Sequence, residues 1–438
     1  MTWRLTVTIL TTVFLAFLSR MVLHFHSKCN VASVVETLCL AFRAGNISGP
    51  LCMDLCEFQS FDYGKCLSSV PKKKIYDANW RGQEVVLKVN MSWFEELKER
   101  QSNGDNEVVE SYQNEVSTAV KTLFGDCARC SELASLLMLL GDGNTDGRLT
   151  GAEVRTFTSL LQQIEPMMLM ALNNSKHTVD FYGYCGGLYV VERVPHVAAK
   201  VFEENWELID LSFLPDAIEP LQNAMNNLVG TILDAVIFFF QYLCVGFDNT
   251  LPLITSSTVG QFIPFHVPSK HEKFKLANSL LDATFELSNN PYGLVMSCDA
   301  NLHNVGYTYD FIIKFIDLDF TYPYTFVKRL LNGKNCTCDL DCWTGISETC
   351  SSLCNTRTGS CTAEMQYQDL FIVCESFIPD IFRKHNLLES DHTCLRIAIQ
   401  KLGEFCSTLP VVYSVEKLKL QISAVKKKLK VIEMNSKC

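Results

Sequence analysis

Cys298-Asp-Ala-Asn-Leu-His-Asn-Val-Gly-Tyr-Thr-Tyr-Asp-Phe-Ile-Ile-Lys-Phe-Ile-Asp-Leu-Asp319 is the stretch on which the reading of this chain turns. Asp299 stands five residues before Asn304, and Asn304 stands thirteen before Asp317, which follows the apolar, strand-like run Phe311 to Ile316. Phosphoryl transfer needs one carboxylate to orient and deprotonate the attacking hydroxyl. It also needs an amide oxygen and a second carboxylate to hold the metal ions that bridge the phosphates. Asp299, Asn304 and Asp317 can supply these groups in that order. A hairpin with surface acids can reproduce the first spacing by chance, but the second spacing and the strand before Asp317 make coincidence a poorer account.

Residues that complete such a site lie upstream. Val85-Val86-Leu87-Lys88-Val89 is a β-branched run with a single lysine, as in the protein-kinase strand whose lysine holds the α and β phosphates. From Glu107 to Phe124, Tyr112, Val116, Ala119, Val120 and Leu123 recur at helical spacing; Glu115 or Glu110 on this helix could pair with Lys88, and Glu115 is the expected partner. Leu188 to Val194 reads as a buried strand leading into a hinge, with Glu192 as the candidate nucleotide contact there.

Between that helix and that strand, Asp142-Gly-Asn-Thr-Asp-Gly-Arg-Leu-Thr-Gly-Ala-Glu153 matches each defined position of a twelve-residue calcium loop. Asp142, Asn144 and Asp146 offer side-chain oxygens, Arg148 its backbone carbonyl, and Glu153 a bidentate carboxylate. Ser131 to Leu140 and Val154 to Leu172 fit flanking helices, the second kinked near Pro166. With no second such loop to pair with, Leu149 is expected to dock on the surrounding domain or on another protomer.

The chain has 438 residues, 48% of them hydrophobic, which suits a two-lobed enzyme with a large core. A formal charge of -10 argues against a nucleic-acid partner, and Lys426 to Lys430 reads as the solvated face of a terminal helix. Leu5 to Leu18 is apolar between Arg4 and Arg20, which directs the chain to the secretory pathway. Without a clear cleavage site, an uncleaved signal anchor is favoured over a removed signal peptide. All 20 cysteines lie from Cys29 onward, a density that fits disulfides in an oxidising lumen. The spacings Cys338-x-x-x-Cys342 and Cys350-x-x-x-Cys354 leave zinc as the competing reading of the second cysteine cluster. Sequons stand at Asn46, Asn90, Asn173 and Asn335. A second apolar stretch, Leu228 to Phe247, contains Asp234, and a charge near the bilayer centre costs about 2.5 kcal/mol or more. A buried helix is therefore expected there, not a second span.

Together these residues resemble the divergent protein kinase domain family in its type 1 branch, cysteine-rich membrane proteins of the endoplasmic reticulum with an EF-hand in the kinase N-lobe. The resemblance implies an α+β, two-lobed protein-kinase-like fold with disulfide-rich segments. Its expected parts are an N-terminal signal anchor (1–25), a cysteine-rich luminal segment (26–66), an N-lobe (67–200) with an EF-hand insert (131–165), and a C-lobe (201–438) with a cysteine-rich insert (336–361). It also implies a single-pass type II protein of the endoplasmic reticulum membrane whose bulk is luminal. By the same resemblance, Lys88 and Glu115 form the ATP-binding ion pair and Asp299 is the catalytic base. Asn304 and Asp317 are then ligands for Mg²⁺ or Mn²⁺, and Asp319 is a possible third. The implied activity is transfer of the γ-phosphoryl of ATP to a luminal protein or glycan.

The chain departs from the kinase pattern in several places. No G-x-G-x-x-G precedes Lys88, and only Gly64 and Gly82 fall between residues 64 and 88. Ser297-Cys298 replaces the His-Arg before the catalytic aspartate, which removes the arginine that receives an activation-loop phosphate. Asn301 stands where a phosphate-binding lysine is usual, and Asp317-Leu-Asp319 replaces Asp-Phe-Gly. These losses keep a second class open: a pseudokinase acting as a calcium-dependent binding module.

Overall fold

Alternation of apolar and polar residues builds the first sheet. In the computed structural model, which describes residues 30–69, 73–93, 105–173, 175–202, 268–345, 349–383 and 393–435, two compact units are distinguished. The expected anchor and the apolar stretch Leu228 to Phe247 lie outside the described residues. No helix among the described residues is long and apolar enough to cross a membrane.

The first unit comprises residues 1–117, 134–166 and 180–193. Helices α1 (Val31–Arg43) and α2 (Cys52–Cys56) precede strands β1 (Phe61–Ser69), β2 (Lys73–Trp80) and β3 (Gln83–Asn90). Helix α3 (Asp105–Phe124) follows, then α4 (Cys130–Gly141), α5 (Gly151–Leu161) and α6 (Ile164–Ala171); the division between the units falls within α3, α4 and α6, and the first unit closes with β4 (Phe181–Cys185) and β5 (Leu188–Glu192). The five strands form an antiparallel sheet in the order β1-β2-β3-β5-β4.

Side chains alternate between the faces of a strand, so register assigns each one a side. Tyr76 pairs with Leu87 and Leu87 with Val190, while Ala78 pairs with Val85. This face is buried under Val34, Val35 and Leu38 of α1 and Leu55 of α2. Ile75 pairs with Lys88 and Lys88 with Tyr189, which puts Lys88 and Tyr189 on the opposite face. The expected boundary at residue 66 therefore falls inside β1, and the cysteine-rich segment is the cover of the sheet, not a separate region. Cys39–Cys56 and Cys52–Cys185 disulfides fasten it there. Pro166 does not kink one long helix: α5 ends at Leu161 and α6 restarts at Ile164, so the proline sits in a first turn, where its missing N–H costs nothing.

The second unit comprises residues 118–133, 167–179 and 194–438. It contains β6 (His196–Val197), α7 (Ala198–Phe202), α8 (Lys270–Ser288), β7 (Val295–Ser297), β8 (Val305–Tyr307), β9 (Ile313–Phe315), β10 (Thr321–Pro323) and α9 (Tyr324–Leu331). Strands β11 (Ser352–Asn355) and β12 (Ser360–Met365) follow, then helices α10 (Asp369–Ile372), α11 (Ile378–Phe382), α12 (Thr393–Ser407) and α13 (Val415–Asn435). Helix α8 starts at a Ser269/Glu272 capping box and buries Phe274, Ala277, Leu280 and Leu281 in a core shared with Ile378, Ile399, Val425 and Leu429. Phe285 packs at the margin of this core. Sheet β6-β8-β9 and the pair β7-β10 frame the stretch from Cys298 to Asp319. The strand expected from Phe311 to Ile316 is shorter, because Phe311 adopts a φ of 63° and β9 spans only Ile313–Phe315.

Beyond the sulfurs already placed, disulfides join Cys127–Cys130, Cys298–Cys350, Cys336–Cys354, Cys342–Cys361 and Cys374–Cys406. The sulfurs of Cys342, Cys350 and Cys354 are thus bonded to other cysteines, and Cys338 is an exposed thiol. The zinc spacing has a covalent explanation.

Asp369 opens α10 half-buried, and its carboxylate accepts the backbone N–H of Ser297 at 3.2 Å and 3.3 Å. Burial pushes its carboxyl from 3.8 up to about 7, against the lowering effect of that hydrogen bond. Between those values the folded chain holds a proton that the unfolded chain has released, so this group makes stability fall as pH rises from about 4 to 7. Asp369→Asn keeps an acceptor for Ser297 and removes the titration. Thermal unfolding measured from pH 4 to 8 is expected to show a flatter pH dependence in the variant, whose relative stability improves at the upper end. An unchanged slope would show that Asp369 ionises normally.

Candidate active site

The first unit contributes a buried carboxylate shared by two lysines. Glu165 has a fully buried side chain, and its Oε1 pairs with Lys88 Nζ. Its Oε2 accepts from Lys73 Nζ at 2.8 Å and from the Tyr189 hydroxyl at 2.5 Å. Lys73 lies two residues from Ile75, the cross-strand neighbour of Lys88, so Lys73, Lys88 and Tyr189 all project from the same sheet face. Burial opposes ionisation of Glu165. The charges and hydrogen bonds of Lys73 and Lys88 overcome it and hold the carboxyl at about 2.

The expected pairing of Lys88 with Glu115 is corrected by this geometry. Glu115 is half-buried on α3 and accepts from Ser111 Oγ at 2.7 Å, one helical turn earlier. The stripe that identified the helix is real, since Tyr112, Val116, Val120 and Leu123 are buried. The carboxylate on Lys88 comes instead from 77 residues away along the chain. A signal for it exists in the sequence: Glu165 is the only charged residue in Ile164-Glu-Pro-Met-Met-Leu-Met-Ala-Leu172. Charge inside an apolar helix is rare unless paired. Glu192 closes β5; its backbone N–H donates to Asp180 O at 2.9 Å, and its Oε2 accepts from Asp180 N at 3.2 Å.

The second unit contributes a loop organised around Asp299. Asn304 Nδ2 donates to Asp299 Oδ2 at 2.9 Å and to its backbone carbonyl at 2.8 Å. Because the amide nitrogen is turned to Asp299, Oδ1 is the Asn304 atom left to bind a cation. Asn301 is committed at both ends. Its Nδ2 donates to Asp299 Oδ1 at 2.8 Å, and its Oδ1 accepts from the N–H groups of His303 and Asn304 at 2.9 Å and 3.2 Å. It braces the loop where a lysine would have met a phosphate. Asp317 lies two residues past β9, and its Oδ1 accepts from the N–H of Asp319 at 3.0 Å. The backbone therefore turns between them and is not an extended strand, yet carboxylate oxygens of the two still lie within 4.8 Å of one another.

Cys298 is held three ways: by its bond to Cys350, by its N–H to Phe320 O at 2.7 Å, and by its carbonyl, which accepts from Thr349 Oγ1 at 2.8 Å.

The loop from Asp142 to Glu153 joins α4 to α5. Asp142 Oδ2 accepts from Gly147 N at 2.8 Å, Asn144 Oδ1 from Asp146 N at 2.9 Å, and Asp146 Oδ1 from Arg148 N at 2.7 Å. Glu153 Oε2 accepts from the N–H and hydroxyl of Thr150, both at 2.9 Å, completing the capping box of α5. The other oxygens, Asp142 Oδ1 and Glu153 Oε1, are buried without a hydrogen-bond partner among the described residues. Unpaired buried carboxylate oxygens are costly, and here they come from the first and last positions of a calcium-loop pattern. Gly141 is required just before the loop, because a Cβ there would stand 1.9 Å from the Tyr112 hydroxyl of α3. Leu149 is half-buried.

The family profile described as the protein-kinase domain of FAM69 matches residues 157–409. A second, described as the N-terminal cysteine-rich endoplasmic reticulum domain of FAM69, matches residues 1–138. The fold is therefore α+β and kinase-like, and this chain belongs to the FAM69 family.

Proposed function

We propose that the chain is a luminal phosphotransferase of the protein-kinase type, held in the endoplasmic reticulum membrane by a type II anchor. It would use ATP with Mg²⁺ or Mn²⁺ and act on a secretory-pathway protein or glycan. The observation that carries this reading is the pairing of Lys88 with the buried Glu165, within a chain whose family is defined by a kinase domain. Lys88, oriented by Glu165, binds the α and β phosphates, and Glu192 contacts the nucleotide at the hinge. Asp299 takes the proton of the acceptor hydroxyl as its oxygen bonds to the γ phosphorus. The bond from that phosphorus to the bridging β-γ oxygen breaks, and ADP leaves with the electron pair. Asn304 Oδ1, Asp317 and Asp319 form an all-oxygen ligand set suited to Mg²⁺ or Mn²⁺, which when bound neutralises phosphate charge.

The pseudokinase alternative draws on the missing glycine-rich lid and on Ser297-Cys298 in place of His-Arg. The arrangement around Asp299 weighs against it, since the loop keeps a base and an amide oxygen with defined hydrogen bonds.

With full-length protein in detergent, Lys88→Ala and Asp317→Ala are expected to weaken Mn²⁺-ATP binding about tenfold or more, the loss of a charge-assisted contact. Asp299→Ala is expected to spare binding and abolish phosphoryl transfer, since the base acts on the acceptor. Wild-type thermal stability that does not respond to millimolar metal-ATP would contradict the reading.

Calcium is proposed to act through the loop, with Asp142, Asn144, Asp146, the Arg148 carbonyl and Glu153 as ligands. The two orphaned carboxylate oxygens support the fit. The route toward the nucleotide is shorter than α3 would have offered. Glu153 lies on α5, and only Gln162 and Gln163 separate α5 from α6, which carries Glu165. Helix α5 is buried along nearly its whole length, so ordering its first turn is a displacement that Glu165 would feel. A site with a dissociation constant on the order of 10⁻⁴ M would already be filled in a calcium-rich lumen. Calcium is expected to tighten metal-ATP binding in the wild type and not in Glu153→Gln. If calcium binds and nucleotide affinity is the same with and without it in both proteins, the loop is only a structural insert.

A further inference from the structure

We propose that Asn173 carries an N-linked glycan whose first N-acetylhexosamine seats in the cavity beside it. The proposal rests on the luminal reading of the chain and adds a modification site to it. The cavity lies wholly within the second unit and measures about 270 Å³, near the lower end of small-molecule sites and suited to one sugar ring, not to an oligosaccharide. Asn173, two residues past α6, is exposed and forms part of its wall. The other sequons are placed differently. Asn90 lies in β3, where its Oδ1 accepts from the N–H of Ser92 at 3.0 Å and from its hydroxyl at 2.8 Å. Asn46 is half-buried beside the buried Ile47, and Asn335 is exposed but not part of this wall.

What the cavity presents to a ligand is hydrogen-bond acceptors. His177, another wall residue, is 3% exposed, and its Nδ1 stands 2.7 Å from Ile313 O. A carbonyl only accepts, so Nδ1 holds the proton and Nε2 of the neutral ring is an acceptor. Nε2 is 3.8 Å from Glu286 Oε2, beyond hydrogen-bond reach. Glu286 Oε1 is already taken, by the Ser175 hydroxyl at 2.6 Å and the Lys176 N–H at 2.8 Å. Two neighbouring acceptors with no donor between them among the described residues call for a ligand rich in donors, and the hydroxyls and amide N–H of an N-acetylhexosamine meet that need. Tyr292 and Phe315 add aromatic wall. The Phe315 N–H donates to His177 O at 2.8 Å, so a seated sugar would also brace β9, which ends two residues before Asp317. Attachment joins Asn173 Nδ2 to C1 of the sugar as the bond from C1 to the phosphate oxygen of a lipid-diphosphate-linked oligosaccharide breaks. The diphosphate leaves with the electron pair, the amide gives up one proton, and Ser175 is the hydroxyl residue that the acceptor motif needs.

The test uses full-length protein expressed in eukaryotic cells. Peptide mapping after peptide N-glycosidase treatment in heavy-oxygen water, which turns each glycosylated asparagine into a labelled aspartate, is expected to mark Asn173. Release of that glycan is expected to be about tenfold slower from native than from denatured protein, because the enzyme must wait for the sugar to leave the cavity. In Glu286→Gln the new amide can keep an oxygen for Ser175 and Lys176 and donate to His177 Nε2, so the pair satisfies itself and competes with the sugar. Native release is then expected to speed up about threefold, with release after denaturation unchanged. Should Glu286→Gln fail to fold, Asn289→Ala, at an exposed wall position, carries the same comparison. An unmodified Asn173 would overturn the proposal, as would a glycan released equally fast from native and denatured protein or at a rate that the substitution leaves unchanged. Protease treatment of intact microsomes separates that failure from failure of the luminal reading: a protected Asn335 region leaves the reading standing, and a cleaved one overturns both.

Discussion

The buried carboxylate of Glu165 is the constraint around which the first unit is arranged. Removing one partner from a buried ion pair costs on the order of 3–5 kcal/mol, because the remaining charge cannot be solvated. Glu165 therefore demands cations, and strands β2 and β3 meet that demand with Lys73 and Lys88, while β5 adds the Tyr189 hydroxyl. Three strands are tied to α6 by one side chain. The same demand fixes the sheet's polarity: one face carries the polar cluster, and the other carries Tyr76, Ala78, Val85, Leu87 and Val190 and is sealed by α1 and α2.

The second unit solves a different problem, which is how to fix a loop carrying Asp299 without the residues that protein kinases place before it. Cys298 occupies the position of the arginine that would answer to an activation-loop phosphate, and its sulfur is bonded to Cys350 of the cysteine-rich insert. Ser297 gives its N–H to the half-buried Asp369. Anchoring is thus covalent and internal. It requires an oxidising compartment, in accord with the family's endoplasmic reticulum cysteine-rich domain.

Much of this was legible because its determinants are local. The Asp299/Asn304/Asp317 spacing, the Lys88 strand, the twelve-residue loop and the amphipathic α3 and α8 are each written within a few turns or one strand, where periodicity and fixed offsets have direct geometric meaning. Glu165 was not legible in this way. Its contact with Lys88 spans 77 residues, and no local pattern states which carboxylate will arrive there. Helical periodicity pointed to Glu115, a half-buried residue on a genuine helix, whereas the better cue was a lone acid in an apolar segment. The contact of Lys73 with Glu165 was hidden for a related reason. In sequence it is one of three consecutive lysines, and only strand register separates it from Lys74. The strand before Asp317 was read too long because a positive φ at Phe311 is a tertiary outcome that apolarity does not reveal.

The central claim is that Glu165, and not Glu115, positions the nucleotide-binding lysine. Mn²⁺-ATP affinity should be measured in full-length wild type, Glu165→Gln and Glu115→Gln, with folding verified for each. The account predicts that Glu115→Gln binds nucleotide as wild type does, while Glu165→Gln loses about tenfold or more. Loss of binding in Glu115→Gln with full retention in Glu165→Gln would contradict it.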